Sequence, residues 1–518
     1  MRVKPSSEAE KLQYSLRLGK ERIVQAMFGT KQQSRIGGAA LLLKFELIEG
    51  IVAGAAACLR DWRLQSQINF TLYQLLWQRV LLICCGYEDV IDGQLLAHDA
   101  GLGLALIPDS KGKTAVASQP TICRFENKVS KTNCYRLAAW LVFSYISTHK
   151  RAPASIRLDF DGSCVPTFGK QSGTSFRAYY DTEMYFPLFV FDQDGVLITA
   201  ILRPGEDGEA RMTIPVLKRL VRAFREVWSD VEILVVMDAA FAGQKIYDWC
   251  EDHDVKYLIK LKNSGGKGSG LFSHSHELAK LCKESFGRRF GVGRYLDGKT
   301  KKSDLEKSIR TLKKRPRREA LSELHRRVER RFGEFRYQAG KGGKDKKQWR
   351  QPRRILAECI YDDWGSRRTF WITNIVGSEA EQLINEVYSR RGEAELRIKD
   401  AKAFRCDKLS CQEFVPNQCR LLMHVLAQRL LFSFRRLLPA GFQQKSLTFV
   451  REHFICIPAI VEGTGKRIRL SWSCAHPFKH AMYALCSRLS KGNSASARCQ
   501  PHFQAMLIRK NTGPPLAA

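Results

Sequence analysis

The chain has 518 residues, too many for one compact domain, and 44% are apolar, enough to build real cores. Its 85 Lys and Arg against 52 Asp and Glu leave a net charge of +33, which repels itself unless a polyanion neutralises it. That points to nucleic acid first and an anionic membrane surface second, but no run is long and apolar enough to span a bilayer. The start "MRVKPSSEAEKLQYS" lacks the apolar core of a secretory leader, and the 16 scattered cysteines include no C-x-x-C pair. Reduced thiols in a cytosol are therefore expected. Cys474, His476, His480 and Cys486 match no standard zinc spacing.

Residues 1–150 read as helical. "NFTLYQLLWQRVLLICCGY" places Leu75, Leu76, Val80, Leu81 and Leu82 at near-helical spacing. "SQPTICRFENKVS" starts a further helix, with Ser118 as N-cap and Pro120 in the first turn. A helix led by Ser118, Gln119 and Thr121, with Arg124 a turn later, suits a helix-turn-helix reader of DNA. It suits an ordinary capped helix in a bundle equally well.

At residue 151 the period changes. "SIRLDFDGS" alternates Ile156, Leu158 and Phe160 against Arg157, Asp159 and Asp161, a strand pattern. "FRAYYDTEMYFPLFVFD" and "GVLITAILRPG" continue as strands, "GEARMTIPVLKRLVRAFREVW" is an amphipathic helix, and "VEILVVMDAAF" is a buried strand ending at Asp238. Three antiparallel strands, a helix, then alternating strands and helices is the order of an α/β, ribonuclease-H-like catalytic domain. Its first part is expected over 151–262. Residues 263–372 interrupt it with a basic, partly β insertion, whose "GGKGSG" lacks the spacing of a phosphate-binding loop. The catalytic domain resumes over 373–445, and 446–518 forms a C-terminal unit.

The resumed part opens with "SEAEQLINEVYSRRGEAEL", where Ser378 and Glu381 have capping-box spacing. On a regular α-helix, with Tyr388 at 0°, Arg391 falls near −60°, Glu395 near −20° and Lys402 near −40°, one stripe about 60° wide. Such a stripe is ordinarily a solvated charged face. Three carboxylates give it a sharper meaning: Asp161 and Asp238 at strand ends, and Glu395 on the stripe. Neighbouring strands and a late helix would bring them together as oxygen ligands suited to Mg²⁺. Asp159 shares the strand face of Asp161 and is the alternative ligand.

Tyr388, Arg391, Glu395 and Lys402, with two, three and six residues between them, resemble the Tyr-Arg-Glu-Lys signature of DDE insertion-sequence transposases. "GYEDVIDGQLL", "SQPTICRFENKVS", "LDFDGSCVPTFGKQ" and the stretch from "LINEVYSRRGEAE" to "LLFSFRRLL" resemble one bacterial branch of that group. The resemblance implies Asp161, Asp238 and Glu395 as catalytic ligands of Mg²⁺, with Mn²⁺ as a substitute. It implies DNA contacts from Tyr388, Arg391 and Lys402, while contacts from Ser118, Gln119, Thr121 and Arg124 in the N-terminal region rest on the helix-turn-helix reading above. It further implies cut-and-paste transposition on double-stranded DNA, with terminal inverted repeats and target as substrates and a homodimer as the working form. The branch usually has Thr two residues after the first Asp, where this chain has Ser163. The rival readings are a transposase-derived DNA-binding protein without catalysis and a ribonuclease-H-like cellular nuclease.

Overall fold

The computed structural model describes residues 32–109, 112–208, 210–262, 270–296, 301–311, 316, 320, 326–340, 349–464 and 467–491, and the backbone of 14–18 and 22–26. Within these, the side chains of 393–397 and 464 lie outside the description. The chain divides into two units, one of residues 1–129 with 426–518, the other of 130–425.

The first unit is mainly helical. Thr71 and Gln74 close a capping box at the start of the helix Leu72–Cys84, which buries Leu75, Leu76, Trp77, Val80, Leu81 and Leu82. Helices Ala39–Glu49 and Ile51–Cys58 meet at Gly50, whose left-handed φ of 67° is open to glycine at little cost. The buried Glu46 carboxylate accepts from the amides of Val52 and Ala53 and so caps the second helix. Arg79 and Glu126 form a buried ion pair at 2.6 Å. The antiparallel strands Ala459–Thr464 and Arg467–Trp472 extend through Gln33–Ser34 into a three-stranded sheet.

The second unit is built on an eight-stranded mixed sheet. Its strands are β1 (Ser155–Gly162), β2 (Leu188–Asp192), β3 (Leu197–Ile201), β4 (Glu232–Met237), β5 (Lys256–Lys260), β6 (Val328–Tyr337), β7 (Arg353–Asp362) and β8 (Gly365–Thr373). Their spatial order is β6-β7-β8-β5-β4-β1-β2-β3. β1, β2 and β3 run antiparallel, whereas β4 lies parallel to β1, and β5 parallel to β4. The near-continuous apolar run "EILVVM" of β4 is what a central strand flanked by parallel partners requires. Helix Thr213–Val227 leads into it and buries Val216, Leu217, Leu220, Val221 and Phe224 along one stripe. A three-stranded sheet (Val165–Pro166, Thr182–Tyr185, Ser175–Arg177) fills the connection from β1 to β2, and the stretch 176–192 expected as one strand is divided between it and β2.

The strands of residues 263–372 continue the main sheet: β8 pairs antiparallel with β5, β7 with β8, and β6 with β7. Helix His276–Phe290 covers them through Cys282 and Phe286 against Cys359 and Tyr361.

Residues 380–403 are helical but irregular. A short α turn (Ala380–Gln382) passes into a π-helix (Leu383–Tyr388), a 3₁₀ turn (Ser389–Arg391) and then an α-helix (Gly392–Ala403). The expected capping box does not form: Glu379 is the N-cap, with no side-chain hydrogen bond. Ala380, Leu383 and Ile384 pack on Val236, Leu258, Leu356 and Trp371 from four strands of the sheet. That packing sets the π turn and the 3₁₀ turn back to back where a regular helix is expected from spacing alone. In 3₁₀ geometry residues three apart eclipse, so Tyr388 and Arg391 stand one above the other.

Candidate active site

Two carboxylates converge because of main-chain register. β1 and β4 pair in parallel up to Phe160 opposite Met237, so the next step of the same register sets Asp161 level with Asp238. Parallel neighbours about 4.8 Å apart at one level present their side chains to the same face. Both sit at the carboxyl ends of their strands, where open α/β sheets bind ligands.

Arg391 lies between them. Its Nη2 is 3.1 Å from Asp161 Oδ1 and 3.7 Å from Asp238 Oδ2. The side chain is 11% exposed, that of Asp161 14% and that of Asp238 36%. Burial opposes the charge on Arg391, but Asp161 first and Asp238 next outweigh it and hold its pKa above the ordinary value. Nε and Nη2 of Arg391 are buried without a hydrogen-bond partner among the described residues, so the approach to Asp161 is ionic and not an aligned hydrogen bond. Asp238 also uses Oδ1 locally, accepting from the Ala240 amide at 2.8 Å to cap a 3₁₀ turn.

Asp159, the alternative ligand, is fully buried and paired with Arg157 at 2.9 Å. Arg157 also donates to the Val387 carbonyl and so ties β1 to the π-helix. This makes Asp159 a support beneath the site. The signal was the alternation Arg157, Asp159, Asp161 on one strand face, but the Val387 carbonyl could not be read from it.

Among the described residues no three His, Cys, Asp or Glu side chains cluster to hold a metal ion. Asp161 and Asp238 offer the hard oxygen donors that a divalent cation takes. Their sharing of one cationic group demonstrates a place for positive charge between them. The backbone of Glu395 lies in the helix Gly392–Ala403, and its side chain lies outside the described residues.

Residues 16–285 and 274–494 match the family described as Transposase DDE domain group 1. The chain belongs to this family of DDE transposases. No curated protein matches it at significance. Among solved structures, the cryo-EM structure of the piggyBac transposase synaptic complex with hairpin DNA is similar over 92% of this chain and 86% of that one, at 10% identity and a TM-score of 0.39. No described helix of the transposase is long and apolar enough to cross a membrane.

The residues expected at DNA phosphates face protein groups in this transposase. Tyr388 packs edge-on against Trp371 with ring centres 5.4 Å apart, and burial, with a smaller push from Asp238, raises its hydroxyl to about 12. Lys402 Nζ donates to the Cys164 carbonyl at 3.1 Å, three residues beyond Asp161. Ser163 is buried and its amide donates to the Pro187 carbonyl. In the other unit, Ser118 and Arg124 are exposed, and Gln119 and Thr121 half-buried, on the helix Gln119–Asn127. The hydroxyls of Ser118 and Thr121 lie 3.0 Å apart, and Arg124 donates to the Pro120 carbonyl.

A cavity of about 1060 Å³ lies by β6, β7 and the loop after β8, lined by Arg330, Arg331, Arg336, Arg353 and Arg354 among others. Arg330 is paired with Glu358, Arg353 with Glu251 and Asp248, and Arg354 with Glu334.

Proposed function

We propose that this transposase cleaves and rejoins DNA at the ends of its element by a cut-and-paste route, with Asp161, Asp238 and Glu395 holding Mg²⁺, or Mn²⁺ in its place. The observation that carries this is the convergence of Asp161 and Asp238 on one cationic group at the ends of two parallel strands. The strand order β3-β2-β1-β4-β5, with the first three antiparallel and the rest parallel, supports a ribonuclease-H-like catalytic core. When bound, the cation neutralises the scissile phosphate and activates the attacking oxygen.

The chain's own groups have distinct parts. Backbone pairing pre-positions the carboxylates of Asp161 and Asp238, so little reorganisation remains when charge develops. Tyr388 keeps its proton across the physiological range and can donate to a phosphate oxygen. Lys402 brings a point charge beside the segment after Asp161. With Arg391, these residues form the Tyr-Arg-Glu-Lys face of a bacterial insertion-sequence enzyme. The substrates are double-stranded terminal inverted repeats and target DNA, handled by a homodimer in the bacterial cytoplasm, on the nucleoid. Ser118, Gln119, Thr121 and Arg124 serve the N-terminal DNA-binding region, and the Lys and Arg runs of the basic insertion over 263–372 meet phosphates without reading sequence.

The test is cleavage of a labelled duplex carrying the element's end. Glu395→Gln keeps the shape of the side chain and removes its charge. It should abolish Mg²⁺-dependent cleavage while leaving binding in Ca²⁺ intact. Wild-type cleavage by Glu395→Gln would remove Glu395 from the ligand set. No cleavage by the unmodified protein in either metal would favour a DNA-binding protein without catalysis.

A further inference from the structure

We infer that Arg391 is an exchangeable counter-ion: it holds Asp161 and Asp238 together in the free protein and leaves them for a DNA phosphate as a divalent cation enters. The inference rests on the proposed metal role of the two aspartates and adds a regulation to that site.

Four observations support it. The first is position: one nitrogen, Nη2, reaches an oxygen of each aspartate, so the guanidinium stands in the gap a cation would take. The second is charge balance: two carboxylates level on adjacent strands repel each other, and a positive group between them relieves that repulsion while no metal is bound. The third is looseness: the buried Nε and Nη2 form no hydrogen bond among the described residues, whereas a guanidinium built in for good makes a two-pronged aligned contact. Arg353 in the same unit shows the difference. Its Nε donates to Glu251 at 2.7 Å and its Nη2 to the same carboxylate at 2.9 Å.

The fourth is the mount. Arg391 ends a 3₁₀ turn between a π-helix and an α-helix, and such irregular turns mark places where a helix can re-wind. Gly392 follows it, and a Cβ there would meet nothing within 4 Å. A change in local winding could therefore carry the side chain out of the gap while Leu383 and Ile384 stay packed on the sheet.

The consequence is a linkage. A guanidinium in the gap competes with metal, and a phosphate that draws it away must raise metal affinity by the same factor that metal raises affinity for the phosphate. The full chain would thus load metal poorly without DNA and well with it.

The experiment measures Mn²⁺ binding to the full chain by calorimetry and by the free-Mn²⁺ resonance signal, with and without a duplex whose cleavable position is blocked. The proteins are wild type, Arg391→Gln, Arg391→Lys, Asp161→Asn and Asp238→Asn, each checked for folding by circular dichroism. Arg391→Gln should bind Mn²⁺ at least ten-fold more tightly than wild type without DNA, and the tightening produced by the duplex should shrink by the same factor. Arg391→Lys, which keeps the charge, should retain most of that tightening and controls for Arg391→Gln variants that fold poorly. Unchanged or weaker Mn²⁺ binding by Arg391→Gln without DNA, or an undiminished effect of the duplex, overturns the inference. If neither Asp161→Asn nor Asp238→Asn weakens Mn²⁺ binding, the metal role itself fails, a separate result from failure of the exchange.

Discussion

Asp161 and Asp238 each stand one residue beyond the register pair Phe160–Met237, and the single guanidinium of Arg391 answers both carboxylates. The two aspartates are not equivalent. Asp161 is the closer to Arg391 and the more buried, while Asp238 is more exposed and also caps a turn.

Asp161→Asn should therefore destabilise the fold by about 1–3 kcal/mol, because it removes the nearer anion from a buried arginine. Asp238→Asn should cost under about 1 kcal/mol, since asparagine keeps an oxygen for the Ala240 amide and the lost ion pair is long and partly exposed. Both should lower DNA cleavage by about a thousand-fold or more, the scale on which preorganised charge acts. Denaturant melts beside cleavage assays check the split: equal stability losses would show that the exposure difference does not matter.

Glu46 makes stability depend on pH. Burial raises its carboxyl from 4.5 to about 7, against the pull of the Val52 and Ala53 amides. A raised folded value favours the protonated form, so the stabilisation is complete below pH about 4.5 and is lost as pH rises to about 7. At roughly 1.4 kcal/mol per unit, the change across that window is about 3 kcal/mol. Glu46→Gln should flatten this part of the stability profile, measured by urea melts from pH 4.5 to 8. A slope that survives the substitution would place the titrating group elsewhere.

The Arg79–Glu126 pair offers a double-mutant cycle. Both side chains are almost fully buried, and Arg79 also donates to the Glu88 carbonyl at 2.6 Å. Glu126→Ala alone should cost about 3–5 kcal/mol by leaving a buried charge, whereas Arg79→Met with Glu126→Leu should cost less than that single change. Chemical denaturation of the four proteins gives the coupling, and additive losses would contradict it.

Gly392 is exposed, with helical φ −55° and ψ −23°, and has room for a methyl group. Gly392→Ala should raise stability by about 0.5–1 kcal/mol through a smaller loss of backbone freedom. A fall in melting temperature would mean that the 3₁₀ turn relies on glycine.

The strand-end aspartates were legible because each closes an alternating or continuous apolar run, and such runs fix strand register through burial. β6, β7 and β8 were legible as strand-like pieces, but their place was not. Pairing of Ile372 with Ile259 joins residues far apart in the chain, and no local pattern names that partner. The stripe of Tyr388, Arg391 and Lys402 was legible as a spacing. Whether it faces DNA or protein depends on Trp371 and the Cys164 carbonyl, which lie far away in sequence. The π and 3₁₀ turns were invisible because counting at 100° per residue presupposes the regular helix that packing on the sheet breaks.

β6 lies at the end of the sheet order, with one outer edge unpaired among the described residues. An open strand edge ten residues long invites a second chain to add on, and repeated addition ends in insoluble fibres. Charged Glu329, Arg330, Arg331, Glu334 and Arg336 punctuate this strand, so a like strand drawing near must desolvate charge to pair with it. Replacing Glu329, Arg330, Arg331, Glu334 and Arg336 together with threonine would keep the strand and remove its charge, and the expected outcome is a chain that sediments as aggregate at concentrations where the natural one remains dispersed.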